Sequence, residues 1–138
     1  MENNMNNLII AADVSKLPDV IAFVDDLLEK FACPMKAQMQ IDIALEELFV
    51  NIAHYAYPDA SGEAEIRAKV DLDSVEITLI DSGIPYDPLK KPDPDVTLPA
   101  EKRAIAGLGI FMTKKMMDDI SYQYVDGKNI LTVKKNLR

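Results

Sequence analysis

The longest helical pattern in the chain covers residues 35–57. Four apolar residues recur there at steps of three and four, the spacing that places side chains on one face of an α-helix. They are Ile41, Leu45, Leu48 and Ile52. Further apolar residues widen this face, which predicts a helix covered on more than one side. We expect the rest of the chain to pack around this helix.

Alternating patterns after the helix predict a pair of strands. The side chains of residues 64–70 and of residues 75–80 alternate in a period of two, as on the two faces of a strand. In the first segment the alternation is between apolar and charged residues. Residues 71–74 between them have the composition of a turn. The two segments are therefore expected to form neighbouring antiparallel strands joined as a hairpin.

Shorter patterns precede the long helix. Residues 6–13 contain an apolar run typical of a strand. Apolar residues between 20 and 31 have helical spacing, and Ser15 is a suitable cap for that helix. A first strand and a first helix are therefore expected before residue 34.

The C-terminal part is predicted to form another helix followed by a hairpin. Residues 108–117 have helical spacing, whereas residues 120–124 and 130–133 are typical of strands separated by Asp126-Gly127, a strong hairpin signal. Strands joined by tight turns must be antiparallel. The sequence predicts an α+β fold, a two-layer α/β sandwich in which a mostly antiparallel mixed sheet is covered on one face by about three helices.

Composition narrows the possible partners and location. The 138 residues suffice for a single domain, taken here as residues 1–138. A net charge of −8 argues against a nucleic acid or an anionic membrane as a partner. The single cysteine, Cys33, indicates a reducing compartment, and no membrane-length apolar run or signal pattern is present in the sequence. We therefore expect a cytoplasmic protein.

Glu47 and Asn51 introduce polar chemistry into the long helix. They are four residues apart, so they lie one turn from each other on the same face. A carboxylate one turn from a carboxamide provides two hard oxygen ligands for a metal ion. Alternatively, the carboxylate is a base and the carboxamide beside it is a ligand. The alternative is a solvated helix face, and this segment alone leaves both interpretations open.

Asp81 and Gly83 follow directly after the strand of residues 75–80. A carboxylate held at a strand end can accept a hydrogen bond from an exocyclic amine, such as that of adenine. Gly83 permits a close backbone approach or a positive φ. The competing interpretation is a turn rich in Asp, Gly and Pro.

A long connection and two glycines come next. Residues 89–106 contain three prolines and little periodicity, and a loop of this length in a compact domain is typically a functional lid or disordered. Lys102 and Arg103 are cations within it. Gly107 and Gly109 open the next helical pattern, where backbone N–H groups and the helix dipole favour an anion.

Together these motifs resemble the Bergerat-fold ATP-binding superfamily, which includes gyrase-type ATPases, Hsp90 and sensor histidine kinases. In order, they are Glu-x-x-x-Asn on a helix, Asp-x-Gly-x-Pro-x-Asp-Pro after a strand, and Gly-x-Gly-Ile at a helix start. The chain is most similar to the small stand-alone anti-sigma-factor serine kinases of bacteria. That similarity rests on residues 47–57, residues 81–88 and the short length of the chain.

The resemblance implies roles in binding ATP and Mg²⁺. Asn51 would hold Mg²⁺ through its side-chain oxygen, and Glu47 would be the general base that accepts the proton of a substrate hydroxyl. Asp81 would accept the adenine amine, Gly83 would leave room for the ring, and Thr132 on the last strand would line the adenine site.

The resemblance also implies how the phosphates are bound. Gly107, Gly109 and nearby backbone would cradle them, and residues 89–106 would form an ATP lid. Lys102 or Arg103 would reach the γ-phosphate, and the sequence does not choose between them.

The function implied by the resemblance is an ATP-dependent protein serine/threonine kinase that acts as an anti-sigma factor. It would phosphorylate an anti-sigma-factor antagonist, bind a sigma factor and form a homodimer. The alternative is a non-catalytic ATP-binding regulatory module that binds a protein partner. The two hypotheses differ in whether Glu47 matters for regulation.

Overall fold

The structure, a computed structural model, describes residues 5–90 and 105–138. Within these residues five strands form one sheet and three helices pack on it, so the predicted two-layer α+β sandwich is confirmed. In chain order the elements are β1 (Met5–Ala11), α1 (Leu17–Lys30), α2 (Met35–Tyr55), β2 (Glu63–Val70), β3 (Ser74–Asp81), α3 (Ile105–Met116), β4 (Asp119–Val125) and β5 (Lys128–Asn136).

Neighbouring strands of the sheet are all antiparallel, and their spatial order is β1-β2-β3-β5-β4. Both predicted hairpins are present, as β2–β3 and β4–β5. Asp126 and Gly127 have φ values of 53° and 78°, the positive values that a two-residue hairpin turn favours. Because β5 returns between β3 and β4, Asn129 lies directly opposite Asp81.

One face of the sheet is buried beneath the helices. The alternate residues of β2 from Ala64 to Val70 are at most 1% exposed, as the period-2 pattern predicts. The same face continues through β3 and β5. Apolar residues of α1 and α2 complete this core, among them Val20, Val24, Leu28, Ile41, Leu45 and Phe49.

Two helix starts differ from the sequence prediction. Asp13 provides the first cap in place of Ser15: its Oδ1 accepts a hydrogen bond from the Ser15 N–H at 2.9 Å, and a 3-10 turn precedes α1 at Leu17. Aspartate caps as well as serine does, so the choice depends on backbone geometry. α3 begins at Ile105, two residues before Gly107.

None of the three helices in the described part of the chain has the length and apolar content needed to cross a membrane. α2 is the longest, at 21 residues, and it includes charged residues in both halves.

Two carboxyl groups meet between α1 and α2. Asp25 lies on α1 and Asp42 on α2, and one oxygen of each is buried without a hydrogen-bond partner within residues 5–90 and 105–138. Burial raises the pKa of Asp42 from 3.8 to about 7, together with the neighbouring carboxyl group of Asp25 and the charge of Glu29. The folded protein therefore holds a proton at Asp42 more tightly than the unfolded chain does.

We expect Asp42→Asn to stabilise the protein above neutral pH. Because folding raises the pKa of this acid, the wild type loses stability as pH rises from about 4 to about 7 and regains none above that range. The variant lacks this titration. Its free energy of unfolding should exceed the wild-type value by about 1 to 2 kcal/mol at pH 8, a figure reduced for solvent screening, and by less toward pH 4.

Urea unfolding at a series of pH values measures this difference. Asp26→Asn, an exposed position on the same helix as Asp25, is the matched control and should follow the wild type throughout. An Asp42→Asn protein that is less stable than the wild type at pH 8 would contradict this account.

Candidate functional site

One ridge of side chains on α2 connects the surface to the candidate site. Residues at every fourth position of an α-helix lie above one another along its surface. Along α2 this ridge consists of Met35, Met39, Ile43, Glu47, Asn51 and Tyr55. The first three are exposed apolar residues. The predicted pair of Glu47 and Asn51 therefore belongs to a longer row.

A cavity lies between the C-terminal half of α2 and the adjoining ends of β3 and β5. Its apolar walls include Leu48, Ile52, Leu79 and Leu131. Its polar and aromatic lining includes Asn51, Asp81, Asn129, Tyr55, Tyr86 and Tyr122. An apolar cavity with a few polar groups is the usual form of a small-molecule site. Asn51 and Asp81, predicted from separate motifs, are brought together here.

Two aromatic rings narrow this cavity. The ring centroids of Tyr55 and Tyr86 are 5.8 Å apart, and their planes are inclined by 32°. The cavity is partly open to solvent and has a volume of about 40 Å³, enough for a few water molecules. Because Tyr55 is 45% exposed, its ring can rotate toward solvent. A ligand larger than a few water molecules would enter by separating the two rings.

Asp81 is the last residue of β3 and is only 6% exposed. Its Oδ1 accepts hydrogen bonds from the Gly83 N–H and from Asn129 Nδ2, each at 2.9 Å. A buried carboxylate needs such donors because desolvation otherwise disfavours its charge. The strand and the following turn together fix this carboxylate at the wall of the cavity.

Gly83 allows the loop after β3 to pack against the end of α2. A Cβ atom at Gly83 would lie 2.2 Å from the carbonyl oxygen of Ala56, so only glycine fits. The next residue, Ile84, donates its N–H to the same carbonyl at 2.9 Å. The sequence left two roles open for Gly83, a close backbone approach or a positive φ. The structure shows the close approach, and the group that Gly83 approaches is the backbone of Ala56.

Tyr57 holds the same loop from another side. Its hydroxyl donates to the Glu63 carbonyl at 2.6 Å and accepts the Ser82 N–H at 2.9 Å. Burial raises the pKa of Tyr57, which keeps the hydroxyl protonated and able to donate. Gly62 packs against the ring, since a Cβ there would lie 2.3 Å from it. These contacts hold the backbone that follows Asp81 next to the start of β2.

Asn129 is a site residue that the sequence analysis missed. It is 6% exposed and lies opposite Asp81 in the β3–β5 register. Its position in the sequence could have identified it. Asn129 follows the Asp126-Gly127 turn by two residues, and alternation places it on the same face as Leu131. Asn129 directly precedes the predicted strand of residues 130–133, and a buried amide at a strand end needs a hydrogen-bond partner.

Thr132 does not line this cavity. It pairs with Thr78, and the two hydroxyl oxygens are 3.2 Å apart on the face of the sheet that points away from the helices. Strand residues three positions apart face opposite sides, so Thr132 and Asn129 cannot both face the cavity. The residue that β5 contributes to the site is Asn129, which corrects the prediction for Thr132.

Glu47 faces an open groove beside α3. Its carboxylate contacts Gly109, where an added Cβ would lie 2.0 Å from Glu47 Cδ. The groove has a volume of about 440 Å³, and its other walls include Ile43, Glu46 and Met112. Glu47 therefore lies one helical turn from Asn51 but on the surface side of the cavity.

The two glycines of α3 differ in their surroundings. Gly107 lies in the first turn, where backbone N–H groups lack helical partners and can contact an anion. Gly109 lies in the second turn, where regular helical geometry pairs its N–H with the Ile105 carbonyl. Gly109 leaves space for Glu47, and its predicted contact with phosphate stays a prediction.

Several predicted features lie outside the described residues. They are residues 91–104 of the predicted lid, including Lys102 and Arg103.

Comparison with known families gives a match over most of the chain. The family model described as "Histidine kinase-like ATPase domain" matches residues 10–135. The Serine-protein kinase RsbW of Bacillus thuringiensis subsp. konkukian is 32% identical over 96 residues, and that of Bacillus cereus strain B4264 is 34% identical over the same length. Each alignment covers 67% of this chain and 60% of the relative, so the chain spans less than two thirds of these proteins.

A solved structure has the same fold. It contains the RsbU and RsbW domains of a Mycobacterium tuberculosis protein and matches with a TM-score of 0.69. The match covers 98% of this chain and 33% of that one at 16% sequence identity, a level that supports the fold alone. The resemblance predicted from the three motifs is confirmed by these comparisons.

We expect Gly83→Ala to destabilise the protein. The added methyl group would collide with the Ala56 backbone, which cannot move without shifting the end of α2. Thermal or urea unfolding should show a loss of about 1 to 3 kcal/mol. Ser82→Ala, at the exposed neighbouring position, is the control and should change stability little. Equal stability of Gly83→Ala and the wild type would show that the loop is not packed as described.

Proposed function

This chain belongs to the histidine kinase-like ATPase domain family, and on that premise we propose that it is an ATP-dependent protein serine/threonine kinase and anti-sigma factor. Its substrate would be an anti-sigma-factor antagonist, and its second partner would be a sigma factor. The observation that supports this proposal best is the arrangement along α2. Asn51 lines the cavity that contains Asp81, and Glu47 lies one turn away in an open groove.

The cavity supports the recognition of adenine. Asp81 has one carboxylate oxygen occupied by protein donors, and its other oxygen can accept the exocyclic amine. Apolar side chains such as Leu48 and Leu79 would contact the faces of the ring. This combination of one directed polar group and apolar walls suits a purine.

The part of the cavity lined by Asn51 suits Mg²⁺ bound together with phosphates. Asn51 offers a neutral oxygen ligand, and Mg²⁺ commonly uses few protein ligands while phosphates and water supply the others. No three His, Cys, Asp or Glu side chains within residues 5–90 and 105–138 are grouped to hold a metal by themselves. Bound Mg²⁺ would neutralise phosphate charge, and the Gly107 N–H would add a donor from the first turn of α3.

Glu47 would be the general base. Its groove is open to solvent, so a hydroxyl of a second protein can reach it without entering the nucleotide cavity. Glu47 would accept the proton of a serine or threonine hydroxyl as that oxygen bonds to the γ-phosphorus. The bond from the γ-phosphorus to the bridging oxygen would break, and ADP would leave. A base on a rigid helix fixes the geometry of this transfer.

The surface next to the groove supports a protein as the phosphate acceptor. Met35, Met39 and Ile43 continue the ridge of Glu47 and are 74%, 57% and 49% exposed. Met112 of α3 is also exposed and lines the same groove. Flexible methionine side chains adapt well to protein surfaces. We assign this apolar row to contact with the acceptor protein.

We expect Asp81→Asn to weaken the binding of Mg-ATP. The Oδ1 of the new amide would take the bonds from Gly83 and Asn129, so its NH₂ group would face the adenine amine, donor against donor. Isothermal titration should show a loss of affinity of about tenfold to hundredfold. Asp59→Asn, an exposed loop position, should bind as the wild type does. Equal affinities in Asp81→Asn and wild type would remove Asp81 from the adenine site.

We expect Glu47→Gln to separate the two hypotheses for function. The substitution keeps the shape of the side chain but removes the base, so phosphate transfer should fall by about 10² to 10⁴ while Mg-ATP affinity is retained. The assay follows labelled phosphate from ATP to antagonist proteins of the same organism. Glu46→Gln, in the same groove but at an exposed position, is the matched control.

A Glu47→Gln protein that regulates its partner normally would favour the non-catalytic ATP-binding module. Absence of label on every antagonist, with ATP still bound by the wild type, would also argue against kinase activity.

A further inference from the structure

Asn129 has every hydrogen-bonding position of its side chain in use. Its Nδ2 donates to Asp81 Oδ1 at 2.9 Å and to the Ile84 carbonyl at 2.8 Å. Its Oδ1 accepts the Tyr86 N–H at 3.0 Å and the Tyr122 hydroxyl. An amide offers two donors and two acceptor lone pairs, so no capacity remains for a ligand.

The orientation of this amide follows from its backbone partners. The Tyr86 N–H can only donate, and the Ile84 carbonyl can only accept. Reversing the amide would place like groups against each other at both positions. Nδ2 therefore points at Asp81, and Asn129 acts on any ligand through Asp81 and not by direct contact.

The two carboxylate oxygens of Asp81 therefore differ in their hydrogen bonds. Oδ1 accepts from both Gly83 and Asn129, which uses both of its lone pairs. No donor to Oδ2 is found among the described residues, and Asp81 lines the cavity. The carboxylate therefore presents one oxygen that can only accept a hydrogen bond, in a fixed direction.

The same amide also fixes the wall of the cavity. Through Ile84 and Tyr86 it binds the loop after β3, and through Tyr122 it binds the edge strand β4. Asn129 is thus a single buried point that holds Asp81, the loop and the hairpin in one arrangement. A fully satisfied buried network of this kind is rigid.

We propose that Asn129 is a positioning residue that makes the site selective for purine nucleotides with an amino group at C6 over those with a carbonyl group there. This inference rests on the proposed binding of a nucleotide in the cavity. A fixed acceptor attracts the amine of adenine and repels the O6 of hypoxanthine or guanine. Without Asn129, Asp81 can turn and admit a water molecule, which donates to O6 as readily as it accepts from an amine.

The test compares Mg-ATP with Mg-ITP, whose base has a carbonyl group at C6. Isothermal titration of the wild type should give an affinity ratio of about tenfold to hundredfold in favour of ATP. In Asn129→Ala the ratio should fall to about threefold or less, mainly through weaker binding of ATP. Gln123→Ala, an exposed position on β4, should keep the wild-type ratio.

Asn129→Asp provides a second variant of the same shape in case the alanine protein fails to fold. It keeps an acceptor for Tyr86 and Tyr122 but places an oxygen against Asp81 and the Ile84 carbonyl. At pH 8.5 repulsion between the two carboxylates should reduce the ATP to ITP ratio toward that of the alanine variant. At pH 6 a proton shared between the carboxylates restores a donor, and the ratio should recover relative to the wild type at the same pH.

An unchanged ratio in a folded Asn129 variant overturns the inference and leaves nucleotide binding intact. A wild type that binds ATP and ITP equally also overturns it. A wild type that binds neither nucleotide overturns the proposed function and the inference together.

Discussion

The contact between the loop after β3 and the last turn of α2 determines the rest of the site. Gly83 lies against the Ala56 backbone, and the Ile84 N–H donates to the Ala56 carbonyl at 2.9 Å. This contact joins the helix that bears Asn51 to the strand that bears Asp81. The shared core already packs α2 on the sheet, and this contact fixes how closely the end of α2 approaches the end of β3. The remaining contacts of the loop, from Tyr57 and Asn129, reinforce the same junction.

Different parts of α2 line the cavity and the groove. Its ridge turns slowly around the helix, so Ile43 and Glu47 face an open groove whereas Asn51 and Tyr55 face a cavity. In the proposed function, a nucleotide and a protein acceptor would therefore approach the same helix from two sides. Gly109 makes this possible because its missing side chain leaves space for the Glu47 carboxylate.

Most of the fold could be predicted from the sequence because its signals are local. The alternation in β2, the Asp126-Gly127 turn and the apolar spacing in α2 each depend on neighbouring residues alone. The pairing of Glu47 with Asn51 also follows from helix geometry. The prediction that these residues lie near Asp81 depended on the family resemblance, because no local pattern specifies which distant segments meet.

The details that sequence analysis missed depend on register and on helix ends. Apolar residues are adjacent at Ile130 and Leu131, so the pattern of β5 does not reveal which face is buried. Only its pairing with β3 shows that Asn129 faces the cavity and Thr132 does not. The start of α3 at Ile105 likewise moves Gly109 into the second turn, and this start is not encoded by the glycines themselves.

The central claim is that α2, the end of β3 and β5 form a single adenine nucleotide site. A crystal structure with Mg²⁺ and a non-hydrolysable ATP analogue tests it most directly. We predict that the adenine amine lies within hydrogen-bonding distance of Asp81 Oδ2, that Asn51 binds the metal, and that the Tyr55 and Tyr86 rings are separated. A nucleotide bound elsewhere on the protein, with Asp81 and Asn51 making no contact to it, would contradict the account.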